Sequence, residues 1–430
     1  MATKVVSLEL THALPLSIAG AENYACVRLI VMRRGVPIGH VDIDNHYTPV
    51  QHEQIVAEVV RYMSTALVED YEETGQDSLS SDESDKEGYS LLADLKPQPG
   101  KSFFLSIVVC TRDRPQDLRN CLKSMRLLEQ GRHRLEVIVV DNNPASGQTR
   151  AVVDEFPEVR YEVELRPGVA YARNQGLRAA KGDIVAYIDD DVTVPACWPA
   201  RILAPFADHR VMCVSGLVLP LEMETPSQEF FELYGGLSRG YQPRLFDDNF
   251  FNRSRRHVVP TWELGGTANV AIRKAVTRET GMFDETLGPG LPTGVGEDIY
   301  MFYRILRFGH LCYYEPAAYV WHKHRREMSA LARQLYSYSK GQTSYQLRTL
   351  VSDNDKRVIF QFLWDLPSWH VHRIWDIVRG RSKYPLKLVV EEIRGNLMGP
   401  YAFYKANKMH RELNGPNSNP ITSDLVSIED

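Results

Sequence analysis

Short runs of β-branched and other apolar residues alternate with amphipathic segments between residues 105 and 188. The apolar runs are LSIVVC at 105–110, EVIVVD at 136–141, a shorter run at 159–164 and DIVAYI at 183–188. Continuous apolar runs of this length are typical of strands whose sheet is covered on both faces. The intervening segments, 115–128, 147–156 and 168–180, have helical patterning. This alternation predicts an α/β fold with a mostly parallel sheet and helices on both faces.

The overall composition is that of an ordinary globular protein. Of the 430 residues, 43% are hydrophobic and 24% are charged, which excludes a mainly disordered, collagen-like or coiled-coil chain. The net charge of −5 argues against a protein that coats nucleic acid, so no nucleic-acid partner is expected. Six cysteines without a CxxC pair argue against a zinc ribbon and against a disulfide framework.

The first residues, MATKVVSLEL, lack the basic and apolar regions of a signal peptide. The chain also has no run of about 18 apolar residues, so no membrane-spanning helix is expected. We therefore expect a reduced, cytoplasmic protein, with association with the inner face of the membrane left open.

Changes in charge along the chain suggest four parts. An N-terminal accessory α+β domain at 1–68 carries no chemical motif, and an acidic flexible linker at 69–99 follows it. The first twenty residues of that linker hold nine acidic residues and one lysine, too polar to form a core. The core domain is predicted at 100–325, and a basic helical extension at 326–430.

The basic extension has two interpretations. Residues 322–412 hold 17 Lys and Arg against 8 Asp and Glu, interspersed with aromatic residues. The aromatic side chains either pack helices onto the core domain or form an amphipathic surface for an anionic membrane. The sequence permits peripheral membrane contact and a homo-oligomer without requiring either.

Three consecutive carboxylates, Asp189, Asp190 and Asp191, end the strand predicted at 183–188. Neighbouring carboxylates repel each other, so a folded chain keeps them exposed or neutralises them with a cation. Carboxylate oxygens suit Mg²⁺ or Mn²⁺, and ligands of such sheets bind at the carboxyl ends of strands. A solvated turn is the alternative.

Other polar residues follow the remaining strands. The first strand ends in TRDRP, which has no glycine, so a dinucleotide-binding Rossmann site is disfavoured, and no P-loop motif occurs. Arg112, Asp113 and Arg114 can hydrogen-bond a base or phosphate, and Asp141 can accept from a base N–H. Arg173 can contact a phosphate or the acidic residues. Turn polarity, an Asx turn and a surface salt bridge are the respective alternatives.

The second half of the core adds glycines, carboxylates and histidines. Gly265 and Gly266 allow close backbone approach to a ligand. Glu297 and Asp298 follow a glycine-rich loop and suit a general base, or simply negative charge in a helix's first turn. His322 and His324 are two residues apart in YVWHKHRR, where either imidazole can complete a site begun by carboxylates.

Seven short motifs occur in order between residues 102 and 325: TRDRP, VVDNN, ARNQG, YIDDD, GGTANVAIRK, GEDIYMFYR and VWHKHR. Each is weak alone, but the ordered set resembles an inverting family 2 glycosyltransferase with a GT-A fold. The resemblance covers about half of the chain. It implies a hexosyltransferase-type enzyme that moves one sugar from a nucleotide-diphosphate donor, UDP-linked by preference, to an acceptor hydroxyl. The acceptor would be a small molecule, a lipid-linked glycan or a peptide, in cell-surface glycan or glycosylated natural-product synthesis.

The resemblance also implies roles for single residues. Thr111, Arg112, Asp113, Asp141, Arg173, Asp189, Asp190, Gly265 and Gly266 would contact the donor, with Asp141 on its base. Asp191 and Asp189 would bind Mn²⁺ or Mg²⁺, with His322 or His324 completing the ligand set. Asp298, with Glu297 beside it, would be the base that accepts the hydroxyl proton.

The chain departs from the processive members of this family. It lacks their membrane-spanning helices and a QxxRW motif, so synthesis of a long polymer is not expected. Two other classes stay open. A sugar-phosphate nucleotidyltransferase needs a glycine-rich first turn, which TRDRP does not provide. A non-catalytic scaffold that kept the fold would not need the acidic residues and His322 together.

Overall fold

A computed structural model describes residues 2–75 and 101–421, with backbone alone for 64–75. The first part is a small α+β unit. Strands β1 (Thr3–Glu9), β3 (Cys26–Arg33) and β4 (Val36–Asp44) form its sheet in the order β1-β3-β4, and β2 (Ser17–Ile18) pairs with β5 (Val50–Gln51). Helix α1 (His52–Gly75) closes its apolar face.

The N-terminal unit agrees with the α+β pattern expected from the sequence. Its helix continues through residues 69–75, the first part of the predicted acidic linker, and residues 76–100 lie outside the described residues. Thr3 forms an isolated bridge with Met223 of the core domain, and the Thr3 hydroxyl donates to Glu229 at 2.5 Å. The unit therefore packs directly on the core domain. The predicted domain boundaries stay predictions.

The core domain is built on one nine-stranded sheet of order β10-β14-β11-β13-β9-β6-β7-β8, with β12 pairing beside β14. Its strands are β6 (Phe104–Thr111), β7 (Arg134–Asp141), β8 (Arg160–Val163), β9 (Ile184–Asp189), β10 (Val192–Thr193), β11 (Val211–Pro220), β12 (Arg244–Phe246), β13 (Asn269–Arg273) and β14 (Leu311–His322). Strands β8, β7, β6 and β9 are mutually parallel, as the apolar runs predict. Strand β13 pairs antiparallel to both of its neighbours.

Helices cover both faces of this sheet, and a helical region follows it. In chain order they are α2 (Pro115–Met125), α3 (Gln148–Val153), α4 (Val169–Ala179), α5 (Trp198–Leu203), α6 (Pro226–Tyr234), α7 (Asp248–Asn252), α8 (Thr277–Thr280), α9 (Glu297–Arg307), α10 (Met328–Asp353), α11 (Arg357–Phe360), α12 (Leu366–Val378) and α13 (Leu386–Asn414). Side chains of alternate parity along β6 enter two separate cores, one on each face. The predicted fold class, an α/β core with an N-terminal α+β unit and a helical C-terminal extension, is confirmed.

The long helices α10 and α13 pack against each other through glycines. A Cβ at Gly395 would overlap the carbonyl oxygen of Tyr336, and one at Gly399 would overlap the side chain of Thr343. Close backbone approach of this kind requires residues without a side chain. Among the described residues, none of the helices combines the length and apolar character needed to cross a membrane.

Candidate functional site

A cavity of about 1530 Å³ opens at the carboxyl ends of the parallel strands. Its walls come from the turn after β6, the start of α4 and the acidic residues after β9, together with residues 265–267 and the start of α9. Helices α6, α10 and α12 form the remaining wall. A cavity of this size exceeds the usual range for small-ligand sites, roughly 300–1,000 Å³, so it has room for more than one ligand group.

Asp189, Asp191 and His322 lie together at the floor of the cavity. One ligand atom from each residue lies within 4.8 Å of the others. The sheet positions them, because Asp189 ends β9 and His322 ends β14, where it is in register with Val192, next to Asp191. The His322 Nε2 atom is 3.2 Å from Asp191 Oδ1.

The electrostatics of this cluster follow from its burial. Burial raises the pKa of Asp189, and the neighbouring charge of Asp191 adds to that effect. Despite burial, His322 and then Arg114 hold the pKa of Asp191 well below its usual value. Asp191 in turn raises the pKa of His322 against the effect of burial. These three groups therefore share an excess of negative charge, which a divalent cation offsets.

Asp190 has a different environment from its two neighbours. It is 4% exposed, and its carboxylate accepts from the Thr111 hydroxyl at 2.7 Å and from Arg114 at 2.6 Å. Arg114 also donates to Asp191 at 2.8 Å. Burial raises the pKa of Asp190 to about 7. Thr111 and Arg114 therefore both anchor the acidic turn through Asp190.

Arg173 connects the acidic cluster with the start of α9. Its guanidinium forms an ion pair with Glu297 and lies 3.5 Å from Asp189. Arg173 and Glu297 are both buried. Burial, with the charge of Asp298, raises the pKa of Glu297 to about 7. Glu297 is therefore held in a buried ion pair, whereas the neighbouring carboxylate of Asp298 is only partly buried.

Asp298 lies against residues 265–267. The Thr267 N–H donates to Asp298 Oδ2 at 3.3 Å, and the Thr267 hydroxyl does so at 3.5 Å. A Cβ at Gly266 would come within 3.2 Å of the same oxygen, so glycine admits the carboxylate here. Gly265 has a φ of 112°, a conformation that favours glycine. The predicted residues 265, 266 and 298 thus form one side of the cavity.

Within the described residues, two predicted site residues lie outside the cavity wall. Asp141 is fully buried outside the cavity wall, where it accepts from the Tyr161 hydroxyl at 2.8 Å and from the Asn143 N–H at 2.9 Å. Asp113 is also outside the wall and accepts from the Asn143 side chain at 2.8 Å. Both environments match the Asx-turn and turn-polarity alternatives, and their donor contacts stay predictions.

His324 lines the cavity but does not join the acidic cluster. Its Nδ1 atom is 3.2 Å from Nδ1 of His322, and its Nε2 atom is 2.7 Å from Glu232. Its ring also packs edge-on against Phe231. Of the two rival histidines, His322 is the one that the structure brings to Asp189 and Asp191.

Sequence reasoning gave Arg114 a base or phosphate contact and missed its pairing with Asp190 and Asp191. It also missed the wall formed by α10 and α12. The signal for Arg114 was present, because three adjacent carboxylates at a buried strand end need a nearby cation. Arg112 does line the cavity, as predicted, and Arg325 and Arg333 line it as well. Nothing in the sequence assigned the last two, because their approach depends on how the C-terminal helices pack.

The residues present fit a divalent cation. Two carboxylates and one imidazole form a set of oxygen and nitrogen donors that suits Mn²⁺ or Mg²⁺. Arg114 pairs with Asp191 through Oδ2, and the other oxygen of Asp191, Oδ1, is buried without a hydrogen-bond partner among the described residues. Asp189, Asp191 and His322 are therefore the residues that would hold the ion.

Part of the chain is similar to a known protein family. Residues 106–261 match the family model described as Glycosyl transferase family 2, as the ordered motifs predict. The matched segment runs from within β6 to beyond β12 and includes the whole acidic turn.

The curated relatives include glycosyltransferases from bacteria and archaea. The chain is 30% identical over 244 residues to the pre-mycofactocin glycosyltransferase of Mycobacterium tuberculosis, covering 55% of this chain and 46% of that protein. It is 28% identical over 196 residues to the glucosyl-dolichyl phosphate glucuronosyltransferase of Haloferax volcanii, covering 43% and 57%. The chain thus spans about half the length of these relatives.

Solved structures with similar folds include a mannosyltransferase from Pyrobaculum calidifontis in complex with GDP-Man and Mn²⁺. That similarity covers 76% of this chain and 80% of the other, at 16% sequence identity and a TM-score of 0.41.

Proposed function

We propose that this protein is a metal-dependent inverting glycosyltransferase that moves one hexosyl group from a nucleotide-diphosphate sugar, UDP-linked by preference, to an acceptor hydroxyl. The observation that carries the proposal is the convergence in one cavity of a metal-binding triad and a separate carboxylate. Asp189, Asp191 and His322 form the triad, and Asp298 is the carboxylate. The family 2 domain over residues 106–261 supports the assignment.

Asp298 would act as the base. An inverting transfer needs in-line attack of the acceptor hydroxyl on the anomeric carbon, with a carboxylate accepting the hydroxyl proton. The contacts of Asp298 Oδ2 with Thr267 are long, at 3.3 and 3.5 Å, so this oxygen keeps capacity for a further partner. Glu297 is less suited to this role, because it is buried and one of its oxygens is paired with Arg173.

The departing diphosphate accumulates negative charge as the sugar leaves. When bound, Mn²⁺ or Mg²⁺ would neutralise part of that charge. Arg112 lines the cavity beside the acidic turn and would add a hydrogen-bonding cation toward the phosphates. Arg114 keeps Asp191 ionised and oriented, which is a positioning role.

The acceptor class is the least constrained part of the proposal. The cavity extends from the acidic turn to a far wall on α12, which carries Trp369, and the aromatic side chains of Trp262 and Tyr338 also line it. Aromatic side chains offer flat apolar surfaces against which a sugar ring or an alkyl group can pack. All three acceptor classes offer groups that pack against such side chains: a small molecule, a lipid-linked glycan and a peptide.

The proposal is tested by thermal stabilisation with a panel of nucleoside diphosphates, each with and without Mn²⁺. A ligand that binds only the folded state adds to the free energy of unfolding by mass action, about 2.7 kcal/mol at 100 times its Kd, and so raises the Tm. We expect stabilisation by UDP that requires Mn²⁺. The Asp191→Ala variant should lose that stabilisation, whereas Asp154→Ala, which removes an exposed carboxylate just after α3, should keep it.

The outcomes separate the competing classes. A response to another base would retain the fold assignment and change the donor. A protein that binds no diphosphate, with or without Mn²⁺, and releases no sugar from any nucleotide sugar would be a non-catalytic scaffold. Stabilisation by UDP that persists in Asp191→Ala would remove Asp191 from the metal site.

A further inference from the structure

Helix α12 and the turn before it expose a band of apolar side chains. Val371, Trp375 and Val378 are spaced by four and three residues, so they lie on one side of the helix. They are 65%, 52% and 73% exposed. Leu363 and Trp364, which lie about two helical turns before Val371, are 74% and 64% exposed. Side chains of this size are rarely left in water as a group unless another surface covers them.

Helix α13 continues the band. Leu386 and Val390 are 47% and 46% exposed, and Leu397, Tyr401 and Tyr404 are exposed at 74%, 57% and 64%. Their spacings of four, seven, four and three residues place them on one face of the helix. The opposite face of α13 packs on α10 through Gly395 and Gly399, so the exposed face is not needed for the internal core.

Basic residues lie between the two helices. The connecting sequence RGRSKYPLK, residues 379–387, holds four Lys or Arg and no acid. Arg379, Arg381, Lys383 and Lys387 are all exposed. The guanidinium of Arg379 lies 4.1 Å from the centre of the Trp375 ring, so the basic cluster is continuous with the apolar band. We call the band and this cluster together the interfacial surface.

The interfacial surface borders the candidate site. Leu366, Trp369 and Arg373 of α12 line the cavity, while Val371 and Trp375 of the same helix face outward. The helix is thus shared between the far wall of the cavity and the exposed band. Whatever covers the band lies within one helix diameter, about 10–12 Å, of the cavity.

We propose that the interfacial surface docks on an anionic lipid bilayer. Tryptophan and tyrosine together with aliphatic side chains are the residues that enter the headgroup region, and Lys and Arg beside them attract anionic headgroups. Both classes of residue are present together on the interfacial surface. The far wall of the cavity is then held at the headgroup level.

A bilayer explains the charge better than a second copy of the chain does. In a two-fold dimer each surface meets its own copy, so the four basic residues of one chain would meet the four of the other. A bilayer with anionic lipids neutralises them instead. The choice of acceptor is the one step that rests on the proposed function. If the protein transfers a sugar and its cavity lies at the headgroup level, the acceptor belongs to the lipid-linked class.

Vesicle flotation of the full chain tests the docking. Vesicles of phosphatidylcholine with 30% phosphatidylglycerol are compared with vesicles of phosphatidylcholine alone, without donor or metal, so that the result is independent of any glycosyl transfer. The expected result is binding to the anionic vesicles that weakens with salt and shifts tryptophan fluorescence to shorter wavelength. Absence of binding to anionic vesicles at low salt would overturn the proposal.

Two sets of variants, each with a matched control, locate the contact. The charge variant is Arg379→Glu, Arg381→Glu, Lys383→Glu, and its control reverses three exposed basic residues elsewhere, Arg132, Lys181 and Arg278. The apolar variant is Trp375→Ser, Val378→Ser, and its control is Leu127→Ser, Leu165→Ser, whose leucines are 71% and 78% exposed.

The charge variant should lose about 100-fold in vesicle affinity, since each basic residue near an anionic surface contributes about fivefold. The apolar variant should lose at least about 10-fold, and both controls should bind as the wild type does. Each variant's Tm is measured, and because all substituted side chains are exposed, it should match that of the wild type. Equal loss in variants and controls would overturn the proposal. So would a wild-type dimer that the apolar variant converts to monomer without any vesicle binding.

Discussion

The loop that precedes Glu297 rests on helix α10 at Gly341, and substitution there should move Asp298, the proposed base. An ideal Cβ on Gly341 would lie 2.6 Å from the carbonyl oxygen of Val295 and would also overlap its side chain. To reach ordinary contact near 3.4 Å, the loop and helix must separate by about 0.8 Å. Val295 is three residues before Asp298, so Gly341→Ala displaces the proposed base.

The effects on stability and on rate should differ in size. Overpacking costs roughly 1–3 kcal/mol, and alanine regains about 1 kcal/mol over glycine within a helix. The net loss is then about 0–2 kcal/mol, a fall in Tm of no more than about 6 °C. A displacement near 1 Å costs up to about 100-fold in rate, so we expect kcat to fall by about 10- to 100-fold.

The assay compares kcat and Tm in Gly341→Ala and Gly395→Ala. A Cβ at Gly395 overlaps the carbonyl oxygen of Tyr336, on the face of α10 that packs against α13, and meets no atom of Val295. That control should lose a similar amount of stability but keep kcat within about threefold. Wild-type kcat in Gly341→Ala would refute the claim that α10 positions the base, and equal losses of kcat in both variants would show a general effect of packing.

Three further changes test other parts of the structure. Asp298→Asn should lower kcat by about 100- to 10,000-fold with little change in diphosphate binding, measured by turnover and thermal shift; a loss below tenfold would remove Asp298 as the base. Thr225→Ala removes the N-cap of α6, whose hydroxyl pairs with Gln228, and should cost about 1 kcal/mol in a denaturant titration, whereas an unchanged midpoint would contradict the capping role. Glu9 accepts hydrogen bonds from Thr11 and Gly35, which lower its pKa to about 2. Because the pKa is depressed in the folded state, the contribution of Glu9 to folding stability is present above pH 4.5 and is lost as the pH falls toward 2. Exchange of the Gly35 amide in Glu9→Gln should therefore exceed the wild-type rate at pH 6, with the difference shrinking below pH 4.5, and a difference independent of pH would contradict this account.

The strand pattern could be read from the sequence because each buried parallel strand is a continuous apolar run. The predicted strand at 105–110 is observed at Phe104–Thr111, and the predicted strand at 183–188 at Ile184–Asp189. The position of the acidic turn followed from the same reasoning, since ligand residues collect at the carboxyl ends of parallel strands. Local patterning was sufficient for these features.

Long-range contacts account for what the sequence did not reveal. Asp141 follows a buried strand as expected, but Tyr161 from the next strand occupies its carboxylate. His324 is equivalent to His322 by spacing alone, yet Glu232, which lies 92 residues earlier, holds it. No local pattern distinguishes these cases, because the deciding partner comes from a distant part of the chain.

The charge balance of the site links its two halves. Five carboxylates and two arginines meet there, with one imidazole: Asp189, Asp190, Asp191, Glu297 and Asp298, Arg114 and Arg173, and His322. The arginines offset only part of the negative charge, and burial makes the remainder costly because water does not screen it. The raised pKa values of Asp189, Asp190 and Glu297 are the direct consequence. A divalent cation on the triad would lower that cost without protonating a ligand residue, and it would leave Arg173 free to hold Glu297 so that Asp298 alone faces the acceptor.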